Sequence, residues 1–316
     1  MTDPFTARLV DAAQGGDRAA LAKLLTIVER GGPDAHEVGR RTFPLAGHAY
    51  TVGVTGAPGA GKSTLTSSLV THVRRAGERL AVLAIDPSSP YTGGAILGDR
   101  VRMGEHALDE GVFIRSMATR GHLGGLALAT PEAIRVLDVA GFDWVVVETV
   151  GVGQVEVDVA GAADTTVVVV NPGWGDSVQA NKAGLMEIAD VFVVNKADRD
   201  GADRTVHDLE SMMDLTGTGR WRPPVVRTIA SLGDGTDRLW EAVAGHRRHL
   251  ESDGGLDDRR QARLRDELDL IVAQRLRAKA EALVDESHRR AVQVEVSSGR
   301  LDPWSAADRI LAPFDA

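Results

Sequence analysis

The 316-residue chain contains no cysteine. This absence excludes disulfide bonds, thiolate zinc sites and cysteine nucleophiles, and it agrees with a reducing compartment. The chain also has no apolar run long enough to span a bilayer, and Asp3, Arg8 and Asp11 interrupt its start, where a signal peptide would need an apolar segment. We therefore expect a cytoplasmic protein with no membrane partner.

Positive charge is also in deficit. The 36 Lys and Arg residues are outnumbered by 45 Asp and Glu residues, which gives a formal net charge of −9. That balance argues against a general nucleic-acid binder, because phosphate backbones are bound mainly by cationic side chains. The 43% of hydrophobic residues can build one large α/β domain with extensions, or two modest domains.

A phosphate-binding pattern, GAPGAGKS, occupies residues 56–63. It follows an apolar, β-branched run at 50–54 and precedes a helical pattern, which is the strand-then-helix context that such a loop needs. Its glycines let backbone N–H groups surround phosphate oxygens at the positive end of a helix. Lys62 is expected to reach the terminal phosphates and the Ser63 hydroxyl to bind Mg²⁺. An ordinary glycine turn is the alternative. The expected nucleotide-binding residues here are Gly56, Ala57, Pro58, Gly59, Ala60, Gly61, Lys62, Ser63 and Thr64.

Strand-like runs alternate with helical patterns through residues 47–252. The runs are nearly all continuously apolar, as expected for strands covered on both faces, and lie at 51–54, 80–85, 144–148, 165–171, 191–195 and 225–229. This alternation predicts an α/β domain with a doubly wound, mostly parallel sheet.

Helical patterns flank the predicted sheet domain. Residues 1–46 form a helical N-terminal extension, in which the Gly-Gly-Pro sequence at 31–33 ends a helical segment. After a break at 253–255, residues 259–284 form one long amphipathic helix, and a turn at 299–303 precedes a short closing helix. The apolar stripe of the long helix must be covered by its own domain or by a partner subunit. Of these we favour a dimer contact through the segment 253–316.

A base-recognition pattern, NKAD, lies at the end of the run at 191–195. Ligands of open α/β sheets bind at the carboxyl ends of strands, where Asn195, Lys196 and Asp198 would stand. An aspartate can accept hydrogen bonds from the N1–H and the exocyclic amine of guanine, whereas adenine would leave it unpaired. The expected nucleotide is therefore GTP, which hydrolysis converts to GDP and phosphate. The alternative is that Asp198 caps a turn and Lys196 is solvated.

Candidate metal ligands follow two other strands. Glu148 opens the sequence ETVGVGQ, so it can hold Mg²⁺ directly or through water, and the Gly151 N–H can sense the γ-phosphate. Asp86 opens a loop rich in Pro, Ser and Gly that also contains Asp99, and both are candidates on the metal side. Turn or helix capping is the alternative for each aspartate, and an ordinary glycine turn for the Glu148 segment.

Six blocks occur in order: GAPGAGKST, DPSSPYTGGAILGDRVRM, TRGHLGGLA, ETVGVGQ, NPGWGDSVQANKAG and NKAD. With them the chain resembles the MeaB-type G proteins, P-loop GTPases that serve as chaperones of adenosylcobalamin-dependent acyl-CoA mutases. The human methylmalonic aciduria type A protein belongs to this family, whose members were once labelled arginine/ornithine transport system kinases. The resemblance covers nearly the whole chain, including the terminal DPWSAADRIL.

The resemblance implies a P-loop GTPase domain in a homodimer whose C-terminal helices contribute to the interface. The partner would be an adenosylcobalamin-dependent mutase of the methylmalonyl-CoA mutase type, with cofactor delivery gated by GTP. By similarity, Asp86, Asp99 and Glu148 join Ser63 around Mg²⁺, and Asn195 and Asp198 bind guanine. Residues 173–182 would form an additional switch in which Lys182 senses the nucleotide, although a solvated helix lysine is the alternative.

The chain departs from the family at Ile229 and Ala230, where relatives have Ser-Ala. The Ala230 N–H can still meet the guanine carbonyl, but the serine hydroxyl that supports this loop is lost. No residue is assigned to position the attacking water; Gln154, Arg100 and Arg120 are only guesses. Slow hydrolysis accelerated by the mutase would fit, because a partner can order the switch segments.

Two alternative functions remain open at this point. A metal-insertion GTPase of the nickel-chaperone type is weakened by the absence of cysteine and of a clustered histidine run, since His106 and His122 are not at ligand spacing. A kinase acting on a transport protein is disfavoured by NKAD, because such enzymes normally use ATP. A dimeric adaptor for which hydrolysis is only a timer is a variant of the main prediction.

Overall fold

The computed structural model describes residues 4–87, 106, 108–119, 125–149, 161–174, 179–216, 220–283 and 285–312. Its contacts divide the chain into two compact units, one ending at Arg263 and one beginning at Leu264. This division lies inside a long helix, whereas the sequence predicted a domain boundary after residue 252.

The first unit is built on a parallel sheet, which has seven strands over the described ranges. They are β1 Tyr50–Gly56, β2 Leu80–Pro87, β3 Val112–Thr119, β4 Trp144–Thr149, β5 Thr165–Val170, β6 Val191–Asn195 and β7 Val225–Thr228. Their order is β3-β2-β4-β1-β5-β6-β7, and every pair is parallel. Because the strands after β1 are first added on one side of it and then on the other, the connections reverse direction at β1. Ligands of such sheets bind at the carboxyl edge beside that reversal.

The six strands predicted from apolar runs are all present, with small differences at their ends. The strand β3 was not predicted, because Arg115 and Ser116 interrupt its apolar pattern. It is an edge strand, and its Arg115 donates a hydrogen bond of 2.8 Å to Glu29 of the N-terminal helices. A charged residue is tolerated there because a helix supplies its partner.

Helices cover both faces of the sheet. One face packs against the N-terminal helices α1 Pro4–Gln14, α2 Arg18–Arg30 and α3 Pro33–Thr42, and against α5 Gly125–Val139. The opposite face packs against α4 Lys62–Arg75 and α8 Thr236–Asp253, while α6 Gln179–Ile188 and α7 Ala202–Thr216 pack against β5 and β6. The N-terminal extension is helical as predicted. Gly31 ends α2 as predicted, and Pro33 begins a further helix, α3, which the sequence did not predict.

Two buried carboxylates stand at the amino edge of the sheet. Asp164, which precedes β5, is 0% exposed and lies 2.8 Å from Arg260, and it also bonds Arg263. Asp190, which precedes β6, lies 2.8 Å from Arg259. The three arginines belong to the first turns of α9 Gly255–Leu283. Burial opposes the charge of Asp164, but the hydrogen bond from Arg260 and the two positive charges outweigh it and hold the pKa of Asp164 below its usual range.

A chain of polar side chains runs beneath the same edge. The Tyr50 hydroxyl lies 2.7 Å from Thr165 Oγ1, and that oxygen lies 2.8 Å from Nδ1 of His246. His246 Nε2 lies 3.3 Å from Asp190 Oδ1. Burial lowers the pKa of His246 to about 4 and raises the pKa of Tyr50, so both groups are neutral in the fold at pH 7.

The second unit consists of the remainder of α9 together with α10 Glu286–Ser297 and α11 Pro303–Leu311. The long helix and the closing helix agree with the sequence, whereas α10 was not predicted. Asp302 caps α11, and Arg309 lies 2.8 Å from Glu295 of α10. Four apolar side chains at helical spacing on α9 are between 41% and 61% exposed, namely Leu264, Leu268, Val272 and Leu276.

Candidate nucleotide site

The glycine-rich loop joins β1 to α4 at the carboxyl edge of the sheet. Gly56, Gly59 and Gly61 all have positive φ angles, of 132°, 72° and 94°. At Gly56 there is also no room for a side chain, since a Cβ would lie 2.0 Å from the carbonyl oxygen of Val169 on β5. The glycines of the sequence pattern are therefore required by the backbone conformation and by the close approach of β5.

The helix α4 begins with its amino end at this loop. Its N-cap is Gly61, and no side chain of the described residues caps it. An anion is attracted to such a helix start by the positive end of the helix dipole. The Lys62 side chain is 7% exposed and its Nζ donates to the carbonyl oxygens of Gly56, at 2.7 Å, and Ala57, at 3.1 Å. The ammonium group thus lies across the loop that would enclose a phosphate.

Ser63 and Glu148 meet beside the loop. Glu148 lies on β4 opposite Val54 of β1 and is 0% exposed. The Ser63 hydroxyl donates a hydrogen bond of 2.6 Å to Glu148 Oε1. A hydroxyl oxygen and a carboxylate oxygen are hard ligands of the kind that Mg²⁺ prefers, so these two residues fit the metal that the loop pattern implies.

Asn195, the last residue of β6, connects three segments. Its Nδ2 donates to the carbonyl of Ala60 at 2.8 Å, and its Oδ1 accepts from the Thr228 hydroxyl and from the Ala230 N–H, each at 3.1 Å. The side chain is 2% exposed. One buried amide therefore joins the phosphate-binding loop to the loop that follows β7.

The next two predicted residues differ in their surroundings. Lys196 has a φ of 58°, unusual for a residue with a side chain, and its Nζ donates to the carbonyl of Gly59 at 2.6 Å. Asp198 is exposed. The conformation of Lys196 therefore places the NKAD turn beside the phosphate-binding loop and leaves the Asp198 carboxylate open to solvent.

The remaining predicted residues vary in how far the structure describes them. Ala57 is half-buried and Ala60 buried, while Pro58 and Thr64 are exposed. The Asp86 backbone lies at the end of β2 and the Lys182 backbone in α6, but their side chains are outside the described part. Five predicted or guessed residues lie wholly outside it, namely Asp99, Arg100, Arg120, Gly151 and Gln154.

Two residues of the site were missed from the sequence. Thr228, at the end of β7, is 1% exposed and bonds Asn195. Ser68 on α4 donates its hydroxyl to the carbonyl of Ala230 at 2.7 Å. The position of Thr228 just before Ile229 and Ala230 could have suggested its role, whereas Ser68 belongs to no motif and depends on the packing of α4 against the β7 loop.

Together, a glycine loop with positive φ angles, an uncapped helix start, a lysine across the loop and a serine–carboxylate pair define a P-loop nucleotide-binding protein of the doubly wound α/β class. The family model described as "Methylmalonyl Co-A mutase-associated GTPase MeaB" matches residues 21–285. The chain belongs to this family of GTPases.

Individual relatives agree with this assignment. A Pyrococcus abyssi protein, named provisionally as a GTPase, is 51% identical over 307 residues, which cover 96% of this chain and 95% of the relative. The mouse protein named methylmalonic aciduria type A homolog, mitochondrial, is 33% identical over 98% of this chain and 80% of its own length. The solved structure of an LAO/AO transport system kinase has a TM-score of 0.74 and 27% identity, covering 100% of this chain and 99% of the other.

Two further properties concern the described residues only. None of the described helices combines the length and the apolar character that crossing a bilayer requires. In the same part of the chain, no group of three or more His, Cys, Asp or Glu side chains could hold a metal ion.

Proposed function

We propose that the protein binds and hydrolyses GTP and that it assists an adenosylcobalamin-dependent acyl-CoA mutase, of the methylmalonyl-CoA mutase type, by gating cofactor loading. The observation that best supports GTP binding is the bridge made by Asn195. Its amide bonds Ala60 of the phosphate-binding loop and Ala230 of the loop after β7, so phosphate and base would be held by one connected frame.

Guanine would be selected by Asp198. Its exposed carboxylate follows Lys196, whose ammonium is already bonded to the phosphate-binding loop. There the carboxylate would accept hydrogen bonds from the N1–H and the exocyclic amine of guanine, which adenine cannot supply. The Ala230 N–H would turn from Asn195 Oδ1 to the guanine carbonyl.

Catalysis would depend on charge and position. Lys62 would place its positive charge on the terminal phosphates, and Ser63 and Glu148 would hold Mg²⁺ with Asp86 and Asp99. When bound, the metal ion would supply positive charge that offsets the negative charge of the phosphates. Gly151 would sense the γ-phosphate and Lys182 the nucleotide state, and the segments that contain them would rearrange on hydrolysis. We expect slow hydrolysis until a partner binds, because a partner can raise the rate by ordering the switch segments.

The proposed partner follows from the family description, which names a methylmalonyl-CoA mutase association. The mouse relative named methylmalonic aciduria type A homolog supports the same partner. A homodimer formed through the C-terminal segment would cover the exposed apolar positions of α9, and the protein would act in the cytoplasm.

Nucleotide titration tests the first part. The protein should bind GDP and GTP at least about 100-fold more tightly than ADP and ATP. A site built to form hydrogen bonds with the edge of guanine rejects a base that leaves its polar groups unpaired. The variant D198N should lose most of this preference and gain affinity for xanthosine diphosphate, whose 2-oxo group matches an amide donor. Equal affinity of the unaltered protein for GDP and ADP would reject the guanine assignment.

A binding experiment tests the second part. The protein with a non-hydrolysable GTP analogue should form a complex with purified methylmalonyl-CoA mutase on size-exclusion chromatography. The mutase should raise its GTPase rate, and the nucleotide should change the rate of adenosylcobalamin loading. The variant K62A is the control for nucleotide dependence. If neither complex nor stimulation is found, the mutase role fails while the GTPase role stands.

The second candidate function is a transport-system kinase, because the solved structure that resembles this chain over its whole length carries that description. Such an enzyme would transfer the terminal phosphoryl group to a protein side chain, whereas the proposed activity releases it as inorganic phosphate. GTP labelled on its γ-phosphate distinguishes the two activities, since label that stays covalently attached to protein would support the kinase. The nickel-insertion alternative finds no support in the described residues, among which no three or more His, Cys, Asp or Glu side chains form a group that could hold a metal ion.

A further inference from the structure

Ser68 lies on the outer side of the helix that begins at the phosphate-binding loop, and its hydroxyl contacts the base side of the site. The hydroxyl donates to the carbonyl oxygen of Ala230 at 2.7 Å. Among the described residues the hydroxyl has one further contact, with the carbonyl of Thr64 on its own helix, at 3.2 Å. The shorter bond therefore joins α4 to the loop after β7.

The two polar backbone groups of Ala230 are held from opposite directions. Its N–H donates to Asn195 Oδ1 at 3.1 Å, while its carbonyl accepts the hydrogen bond from Ser68. The carbonyl also lies 3.3 Å from the N–H of Gly233, a longer contact within the same turn. The peptide groups on the two sides of the Ala230 Cα are thus each held from outside the loop, one by a residue of β6 and the other by a residue of α4.

The rest of the loop is held by backbone hydrogen bonds within itself, from the Ile229 N–H to Asp234 at 3.0 Å and from the Leu232 N–H to Ile229 at 2.9 Å. Leu232 at its tip is 77% exposed, and the residue before Ala230 is Ile229, which has no hydroxyl or amide in its side chain. A short loop that is exposed at its tip loses backbone order easily when a hydrogen bond at its base is removed. Ser68 supplies such a bond from outside the loop.

We propose that Ser68 is a positioning residue for base recognition: by holding the Ala230 carbonyl it fixes the loop in the position from which the Ala230 N–H, in the preceding peptide group, turns to the base carbonyl. This inference rests on the proposed binding of guanine nucleotides. The serine touches no part of the nucleotide in this scheme, and its effect is transmitted through Ala230. Because α4 also carries Lys62 and Ser63, the same bond makes the phosphate-binding helix and the base loop move together.

The experiment compares the unaltered protein with S68A, using three probes in equilibrium titration. GDP and inosine diphosphate share the base carbonyl and differ in the exocyclic amine, while tripolyphosphate has no base. Loss of one neutral hydrogen bond predicts that S68A binds GDP and inosine diphosphate about 3- to 10-fold more weakly, by the same factor for both. Tripolyphosphate affinity should not change.

Two further variants control for damage to the fold. S68T retains a hydroxyl and should restore the affinities to within about 2-fold, which a purely steric role would not explain. S252A removes another helix serine, whose hydroxyl bonds only the carbonyl of His249 on its own helix among the contacts described, and it should bind all three probes normally.

The possible outcomes separate the two proposals. If the unaltered protein prefers GDP to ADP but S68A binds all three probes like the unaltered protein, the role of Ser68 is wrong while the guanine assignment stands. If S68A weakens tripolyphosphate as much as GDP, the serine supports the helix and not the base loop. If the unaltered protein shows no preference for GDP over ADP, both the guanine assignment and the role of Ser68 are rejected.

Discussion

Arg260 binds the buried Asp164 through two hydrogen bonds, from Nε to Oδ1 at 3.2 Å and from Nη2 to Oδ2 at 2.8 Å. This pair fastens the start of α9 to the amino end of β5. The other end of β5 lies against the phosphate-binding loop, where Val169 is the neighbour of Gly56. The same strand that supports the candidate site therefore also supports the beginning of the C-terminal helix.

Replacing Asp164 by asparagine should strongly destabilise the first unit. The change would leave Arg260 and Arg263 without their buried counter-charge, and breaking such a pair costs about 3–5 kcal/mol of the free energy of unfolding. Urea denaturation followed by circular dichroism would measure this. The exposed pair of Arg248 and Glu241 is the control, since R248A should change the free energy by at most about 1 kcal/mol. Similar effects of both variants would contradict the role given to Asp164.

Alanine substitutions at Gly56 and Gly59 should differ in their effect on stability, although both should weaken GDP binding. Alanine at Gly56 would place its Cβ 2.0 Å from a backbone oxygen, whereas at Gly59 no atom lies within 4 Å of that position and only the positive φ opposes the change. G56A should therefore lower the melting temperature substantially, while G59A should cost only about 1–2 kcal/mol of folding free energy. We expect both to weaken GDP binding. Thermal denaturation and titration on the same samples test this, and equal melting temperatures would count against the observed packing of β5 on the loop.

Much of this fold follows from apolar periodicity. β1, β4, β5 and β6 are buried along their whole length, so their sequences are largely apolar without a regular polar alternation, as expected for a parallel sheet covered on both faces. The edge strand β3 gives no such signal, because it contains Arg115, whose partner Glu29 is distant in sequence. Its existence depends on tertiary pairing that periodicity does not record.

The site shows the same division between local and distant information. Gly56, Lys62 and Ser63 form one local pattern whose chemistry requires their spacing, so the sequence alone predicts them. Contacts between segments are different: Ser68 meets Ala230, which is 162 residues away along the chain. Such a pair becomes visible only when α4 and β7 have been placed beside each other.

Asn195 should be more important than any single one of its partners. N195A would remove the acceptor of two hydrogen bonds and the donor of a third, leaving the Ala60 carbonyl, the Thr228 hydroxyl and the Ala230 N–H to find other partners. We expect a loss of about 2–4 kcal/mol in the free energy of unfolding and a loss of GDP binding. T228V, which keeps the shape but removes one donor, should cost about 1 kcal/mol and weaken GDP binding only a few-fold. If T228V were as damaging as N195A, the bridging role of the amide would be wrong.

The buried His246 should make stability depend on pH between its ordinary pKa of 6.5 and its pKa in the fold of about 4. In this interval the unfolded chain binds a proton at His246 and the folded chain does not, so the free energy of unfolding decreases as the pH falls. The depressed pKa of Asp164 acts in a lower range, since its contribution is complete above the unfolded value near 3.8 and is lost as the pH falls through the folded value. The two groups therefore act in different pH ranges.

The variant H246N isolates the first effect, because an asparagine oxygen can accept the bond from Thr165 but does not titrate. Between pH 7 and pH 5 the unaltered protein should lose about 2 kcal/mol more of its free energy of unfolding than H246N does. The measurement is urea denaturation at both pH values for both proteins. H249N is the control for a histidine-to-asparagine change near the end of the same helix, because His249 is partly exposed and stacks on Trp221, 5.2 Å between ring centroids. Comparing the two variants separates the effect of the buried site from that of the substitution itself. Parallel curves for H246N and the unaltered protein would show that His246 takes up its proton equally in both states, contrary to the burial that the structure gives it.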